Sequence, residues 1–182
     1  GNSIILDPYD VYRMTTGMGK SMQELLAASV ELNVVDGVIL PNLKMQGTEE
    51  ACAYLDEEGR CSIHPYRPGI CRLFPLGRYY ENGGFSYFLQ TGECAKENRS
   101  KIKVSKWIDT PDLTRNQQFT LQWHDLLHAM EERLTGEDEG KQREENLLLL
   151  RLFYLLPYEG TIDFYTQFTE RMEHWNGQNG QI

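Results

Sequence analysis

Apolar residues in the second half of the chain recur with helical spacing. Between positions 119 and 134 they fall at intervals of three or four on one face of a helix: Phe119, Trp123, Leu126, Leu127, Met130 and Leu134. A charged segment over residues 135–146 is expected to form a linker. The apolar run over residues 147–156 predicts a buried helix that ends at Pro157. Thr161 is placed to cap a last helix, so the C-terminal half is predicted to be helical.

Shorter patterns fill the first half of the chain. Asp7 followed by Pro8 is typical of a helix start, and Ser21 with Glu24 has the spacing of a capping box. Three prolines within residues 64–75 predict a rigid loop with at most one helical turn, near Cys71. Three pairs of short segments flank Gly-containing turns and predict β-hairpins: residues 32–35 with 38–40, 51–55 with 60–63, and 76–80 with 85–89.

These elements define the fold class as α+β, with small β-hairpins and Pro-rich loops followed by a helical C-terminal half. We expect a mixed, cysteine-bearing part over residues 1–105 and a helical part over residues 106–182, packed together as one unit. A basic stretch over residues 96–106 is interpreted as a solvated linker.

The charge balance narrows the classes of partner. Asp and Glu number 27 and Lys and Arg number 18, which gives a formal net charge of −9. Such a chain is a poor match for a nucleic-acid backbone or an anionic membrane surface. No signal peptide is visible, and the longest apolar run is about half of a membrane span. We therefore expect a cytoplasmic protein with no nucleic-acid partner and no membrane partner.

All four cysteines fall in one window of the sequence: Cys52, Cys61, Cys71 and Cys94. In a reducing compartment, clustered cysteines indicate metal binding or redox chemistry more often than a disulfide. If residues 56–59 form a four-residue loop, Tyr54 faces Cys61, and Cys52 and Cys61 become a diagonal pair roughly 7–8 Å apart. That separation strains a disulfide but suits two thiolates on one metal. Cys71 and Cys94 would then complete the site from the sides.

The surroundings of the cysteines are basic. Residues 60–80 contain no acidic residue and four arginines: Arg60, Arg67, Arg72 and Arg78. Positive neighbours lower the pKa of a thiol and favour the thiolate that binds metal. They also balance the negative charge of a four-thiolate zinc or iron site. Two alternatives stay open from the residues alone: the cysteines act as small buried apolar side chains, or the arginines pair with surface glutamates.

Three segments of this window form a specific motif: Cys52-Ala53-Tyr54-Leu55, Gly59-Arg60-Cys61-Ser62-Ile63-His64 and Arg67-Pro68-Gly69-Ile70-Cys71-Arg72-Leu73-Phe74-Pro75. With the opening residues 5–13 and Gly92-Glu93-Cys94, this motif resembles the YkgJ-like cysteine-cluster family. Members are described as zinc- or iron-chelating and as related to flagellin lysine N-methylase. The resemblance implies that Cys52, Cys61, Cys71 and Cys94 are ligands of zinc or iron, an iron–sulfur cluster included. Members also carry an upstream Cys-x-x-Cys-x-x-Cys-Cys cluster, which the 182 residues do not contain.

The first functional hypothesis is a metal-binding protein that holds zinc or an iron–sulfur cluster through cysteine thiolates, with a metal ion as its partner. One alternative is an enzyme, either protein-modifying and related to lysine methylases or a thiol redox catalyst. Another is an interaction module whose helical half recruits a protein partner. His64 is interpreted as a ligand or as a residue that holds its loop, and the pair His124 and His128 as a solvated helix face. No residue is assigned as general acid, base or nucleophile.

Overall fold

The computed structural model describes residues 3–48, 50–93 and 101–179 of the chain. Within these residues the fold is α+β, as the sequence predicts. Helices and three two-stranded antiparallel sheets make up the first half, and helices make up the second. A single cluster of buried apolar side chains runs from Leu6 to Trp175 and draws on both halves. The cysteine segment, residues 44–74, lies at the edge of this cluster, where Cys52 and Cys61 pack against it.

The first two helices begin at the predicted capping residues. Helix α1 spans Pro8–Met18, and the Asp7 carboxylate accepts the backbone N–H of Asp10 at 2.8 Å. Helix α2 spans Met22–Ala28 and begins with the Ser21–Glu24 capping box. These side chains satisfy N–H groups that have no partner within a helix. The two helix starts are therefore confirmed.

Two of the three predicted hairpins are confirmed with slightly longer strands. Strands β1 (Val30–Val35) and β2 (Val38–Leu43) pair through a two-residue turn in which Asp36 and Gly37 have φ of 50° and 82°. Strands β5 (Leu76–Glu81) and β6 (Gly84–Leu89) pair in the same way around Asn82 and Gly83. Asn or Asp followed by Gly suits this turn because both residues need positive φ.

The middle hairpin differs from the prediction. Strand β4 (Ala51–Cys52) pairs with β3 (Met45–Gln46), and the segment after the turn makes only a single bridge, between Leu55 and Cys61. The prediction paired Cys61 with Tyr54, and this register is wrong by one residue. The Asp56 side chain accepts the N–H groups of Glu58 and Arg60 at 3.0 and 2.8 Å, which keeps Arg60 within the turn, so that Leu55 meets Cys61, one residue later than expected. The diagonal pairing of Cys52 and Cys61 is therefore not formed by a regular hairpin.

The Pro-rich loop contains more helix than predicted. A 3₁₀ turn spans His64–Tyr66, and helix α3 spans Gly69–Leu73 and carries Cys71. Pro65 lies in the first turn of the former, and Pro68 is the N-cap of the latter. Proline fits these positions because its fixed φ suits a helix start and its missing N–H is not needed there.

Four helices and one π-helical segment follow in the described part of the second half. They are α4 (Val104–Ile108), α5 (Leu113–Leu134), α6 (Glu139–Leu150), the π-helical segment (Arg151–Leu155) and α7 (Phe164–Asn179). The predicted charged linker is wrong beyond residue 138, because Asp138 caps α6 at the N–H groups of Gly140 and Lys141. The predicted cap at Thr161 is also wrong. Asp163 instead accepts the N–H of Thr166 at 3.0 Å.

Aromatic side chains form the centre of the core. Phe119 of α5 makes edge-to-face contacts with Phe164 and Phe168 of α7, with ring centroids 5.0 and 4.8 Å apart. Tyr9 of α1 reaches the same cluster, 5.0 Å from Phe164. Helix α1 thus links the aromatic core to the cysteine segment. In the described residues, no helix combines the length and apolar character that crossing a membrane requires.

Candidate metal centre

Three of the four predicted ligands lie within the described residues. Cys52 ends β4, Cys61 forms the bridge with Leu55, and Cys71 lies in α3. All three are half-buried and free of disulfide bonds. Cys94 lies outside the described residues. Each of the three thiols therefore belongs to a short element beside a turn, where local backbone geometry directs the side chain.

Hydrogen bonds fix the backbone around Cys61. The Tyr54 carbonyl accepts the backbone N–H and the hydroxyl of Ser62, at 2.8 and 2.9 Å. The carbonyl of Cys61 accepts the N–H of His64 at 3.2 Å, where the 3₁₀ turn begins. His64 Nε2 accepts a hydrogen bond from Arg67 Nη1 at 2.7 Å. This contact favours the interpretation of His64 as a residue that holds its loop.

The three thiols lie close enough together for their charges to interact. Burial is the largest of the causes that raise the pKa of Cys71 to about 12; the charges of Asp10, Cys52 and Cys61 also raise it, and Arg67 lowers it. The expected lowering by a positive neighbour is therefore present at Arg67, but burial outweighs it at Cys71. A divalent metal ion that binds Cys71 would replace this proton.

The four arginines of the window have different partners. Arg60 is exposed and pairs with Glu58 and with Asp56, whose Oδ2 lies 3.2 Å from Arg60 Nε. The alternative of surface acidic partners is thus correct for Arg60. Arg72, by contrast, is buried, and its Nη1 donates to the carbonyl of Arg67 at 2.8 Å. The basic window therefore contains an exposed arginine that pairs with acidic side chains. It also contains a buried arginine directly after Cys71 in the sequence.

Two carboxyl groups at the start of α1, those of Asp7 and Asp10, are part of this region, although no site role was predicted for them. Asp10 is 2% exposed, and its Oδ1 accepts the N–H of Gly69 in α3 at 2.6 Å. Burial, followed by the charge of Asp7, raises the pKa of Asp10 to about 8, while Arg72 lowers it. In the sequence, Asp7 followed by Pro8 indicated only that Asp7 lies at a helix start. The segment over residues 5–13 was also part of the recognised motif without containing a cysteine, which is the signal that could have revealed a second role.

The donor set suits a thiophilic metal. Thiolate ligands select zinc, copper(I) and iron–sulfur clusters over magnesium or calcium. Among the residues that the structure describes, no three His, Cys, Asp or Glu side chains stand close enough together to form a ready metal cluster. Since Cys94 is outside these residues, the four-cysteine ligand set stays a prediction. The three described thiols fit a zinc or iron site by their chemistry, and Cys71 lies within electrostatic range of the other two.

Comparison with known families agrees with the class that this site suggests. Residues 4–91 match the family model described as "CxxCxxCC: Putative zinc- or iron-chelating domain". Over residues 4–91, this match confirms the resemblance recognised from the cysteine motif. Neither the comparison with curated proteins nor the comparison with solved structures gave a match.

Proposed function

We propose that this chain is a cytoplasmic metal-binding protein that holds zinc or an iron–sulfur cluster through the thiolates of Cys52, Cys61, Cys71 and Cys94. The observation that supports the proposal is that Cys71 lies within electrostatic range of Cys52 and Cys61, and that all three are half-buried and free of disulfide bonds. The family match over residues 4–91 supports zinc or iron as the metal. Free thiols in a chain of net charge −9 support a reducing compartment and a role without nucleic acid.

The chain's own residues would prepare the site in three ways. The short elements that bear Cys52, Cys61 and Cys71 direct the thiols, and the hydrogen bonds around Ser62 and His64 hold the connecting backbone. The Arg67 guanidinium lies near the Cys71 thiol and opposes part of the negative charge that four thiolates would bring. When bound, the metal would cross-link these short elements.

A thiol redox role is less well supported by the electrostatics. Reactive cysteines have a lowered pKa, because the thiolate is the nucleophile. The pKa of Cys71 is raised, and burial is the main cause. The same burial suits a ligand, since a bound metal replaces the thiol proton and excluded water limits ligand exchange.

Metal and acid-labile sulfide analysis of protein purified without oxygen tests the proposal. We expect bound zinc, or iron together with sulfide and a visible absorption band. In Cys61→Ser and Cys71→Ser the metal content and the thermal stability should fall together. Ser86→Ala, which changes an exposed residue of β6, is the control and should keep the metal. Wild-type protein without zinc or iron, or unchanged metal in both Cys variants, would contradict the proposal.

A further inference from the structure

We infer that Asp10 is a positioning residue for Cys71. It holds helix α3 in place by accepting a hydrogen bond from the first N–H group of that helix. This inference rests on the proposed function, because Cys71 is one of the proposed ligands. Asp10 lies on α1, 59 residues before Gly69, yet the Asp10 carboxylate accepts the Gly69 N–H at 2.6 Å. The bond therefore ties together two elements that are distant in the sequence.

Helix α3 needs this external acceptor. It has five residues, and its N-cap is Pro68, from which no side-chain hydrogen bond to the helix is formed. An N-cap of Ser, Thr, Asp or Asn would satisfy one of the first N–H groups, and proline has no side chain that can. Asp10 supplies the missing acceptor from α1. Cys71, two residues after Gly69, follows the orientation that this bond gives to the helix.

The Asp10 carboxylate serves two helix starts at the same time. Its Oδ2 accepts the N–H of Asp7 at 3.2 Å and completes the capping box of α1, while its Oδ1 accepts the N–H of Gly69. A side chain with both oxygens engaged and 2% exposure has few alternative rotamers. The first turn of α1 and the first turn of α3 are thereby fixed relative to each other.

Arg72 closes the same arrangement from α3. A Cβ atom at Gly69 would lie 3.5 Å from Asp10 Oδ1, 3.7 Å from Arg72 Nη2 and 3.9 Å from Asp7 Oδ2, so these charged groups meet at one point. Arg72 is 4% exposed, and its guanidinium lies over the Tyr9 ring, 5.8 Å from the centroid. The position of Cys71 is thus set by buried charged groups that themselves contact α1.

Two substitutions separate the hydrogen bond to Gly69 from the ionisable carboxyl group. Asp10→Ala removes both, whereas Asp10→Asn keeps one oxygen acceptor, for the Gly69 N–H, and cannot ionise. Gly69→Pro deletes the donor instead, at a first helical position, and places its ring Cδ against Asp10 Oδ1, so the carboxyl is displaced as well. Asp125→Ala, at a carboxylate whose side chain is 75% exposed on α5, is the matched control.

The first readout is the alkylation rate of each cysteine by iodoacetamide, mapped by mass spectrometry with and without a chelator. Loss of a buried hydrogen bond to Gly69 should open α3 locally. We expect Cys71 to react about tenfold faster in Asp10→Ala and Gly69→Pro, with Cys52 and Cys61 unchanged. Asp10→Asn and Asp125→Ala should stay near the wild-type rate. Equal acceleration of all three thiols, or equal acceleration of Cys71 in Asp10→Asn and Asp10→Ala, would overturn the inference.

The second readout is the affinity for Zn²⁺, measured by competition with a chelating dye. Substitution of residues that orient metal ligands typically lowers affinity about 10–100-fold, and we expect a loss in this range for Asp10→Ala and recovery of most of it in Asp10→Asn. Wild-type affinity in Asp10→Ala would overturn the inference while leaving the proposed function in place. If wild-type protein binds neither zinc nor iron, the proposed function fails, and the alkylation pattern still decides whether Asp10 positions Cys71.

Discussion

The helical half and the cysteine segment are held together by different forces. In the helices, large aromatic side chains are fully buried against one another, with Phe153, Phe164 and Phe168 each at most 2% exposed. Such pairs stabilise by apolar burial and by ring geometry. In the cysteine segment, the buried apolar residues among described positions 44–48 and 50–74 are Ile63, Pro68 and Leu73. The rest of that segment is organised by turns, hydrogen bonds and buried charges.

This difference indicates what each region depends on. A short segment with few buried apolar groups gains little from the hydrophobic effect and is usually fixed by metal ions, disulfides or polar contacts. Here the cysteines at positions 52, 61 and 71 are free, and Asp10, Arg72 and the Asp56 turn supply polar contacts. The region therefore has the construction expected of a metal site attached to an apolar helical base.

The largest expected effect comes from truncating the aromatic core. Phe153 is fully buried and contacts Trp123 and Phe168. Phe153→Ala should lower the free energy of unfolding by about 3–5 kcal/mol, because the substitution leaves a cavity. Leu147→Ala, at a residue 53% exposed, should change it by about 0.5 kcal/mol or less. Urea denaturation measures the free energy of unfolding of both variants. A loss below about 1 kcal/mol for Phe153→Ala would contradict the claim that buried aromatic side chains hold the helical half together.

Metal removal should affect the other region selectively. After chelation, amide hydrogen exchange over residues 50–74 should accelerate by about tenfold or more, since a bound metal links elements with little apolar packing. Exchange in α5 and α7 should stay close to the rate of the metal-loaded protein. Equal acceleration throughout the chain, or none at all, would show that the two regions do not differ in this way.

A smaller effect should appear in the pH dependence of stability. The pKa of Asp10 is raised to about 8, so the folded chain keeps a proton that the unfolded chain releases near pH 4. The contribution of this group to stability therefore falls as pH rises from about 4 to about 8. In metal-free protein, Asp10→Asn should show a shallower fall than wild type in urea denaturation over this window. Asp7, which burial also affects, should retain part of the slope.

A matched substitution controls for the pH effect. Asp125→Asn, at an exposed carboxyl of α5, should keep the wild-type slope. If Asp10→Asn and wild type have equal slopes, the carboxyl of Asp10 is not protonated in the folded chain over this pH range. The pKa of Asp10 is then not raised.

Local signals made much of the fold predictable. The Ser21–Glu24 box and the Asp36-Gly37 turn involve neighbouring residues, so their chemistry is visible in the sequence. The first part of α6, residues 139–146, was missed because it is polar, and buried polar contacts across the fold stabilise it. Asn146 accepts the N–H of Ile39 at 2.6 Å, and Arg133 pairs with Glu145 at 2.8 Å. The spacing of apolar residues along the sequence does not indicate such contacts.

The candidate site was likewise predictable from the sequence only in part. Cysteine spacing and the motif pointed to the window that holds Cys52, Cys61 and Cys71, because ligand types are visible in the sequence. The hairpin register within it was misjudged, since the Asp56 side chain keeps Arg60 within the turn and Leu55 meets Cys61 instead. The link between Asp10 and Gly69 joins residues 59 positions apart, and a sequence without its fold gives no distance between them.

The sulfur coordination of the bound metal tests the central claim most directly. X-ray absorption at the zinc or iron edge should be recorded on metal-loaded wild-type protein and on Cys94→Ser. For bound zinc, four cysteine ligands predict a shell of about four sulfur atoms near 2.3 Å, and about three in the variant. A first shell dominated by oxygen or nitrogen, or an unchanged sulfur shell in Cys94→Ser, would contradict the four-cysteine site.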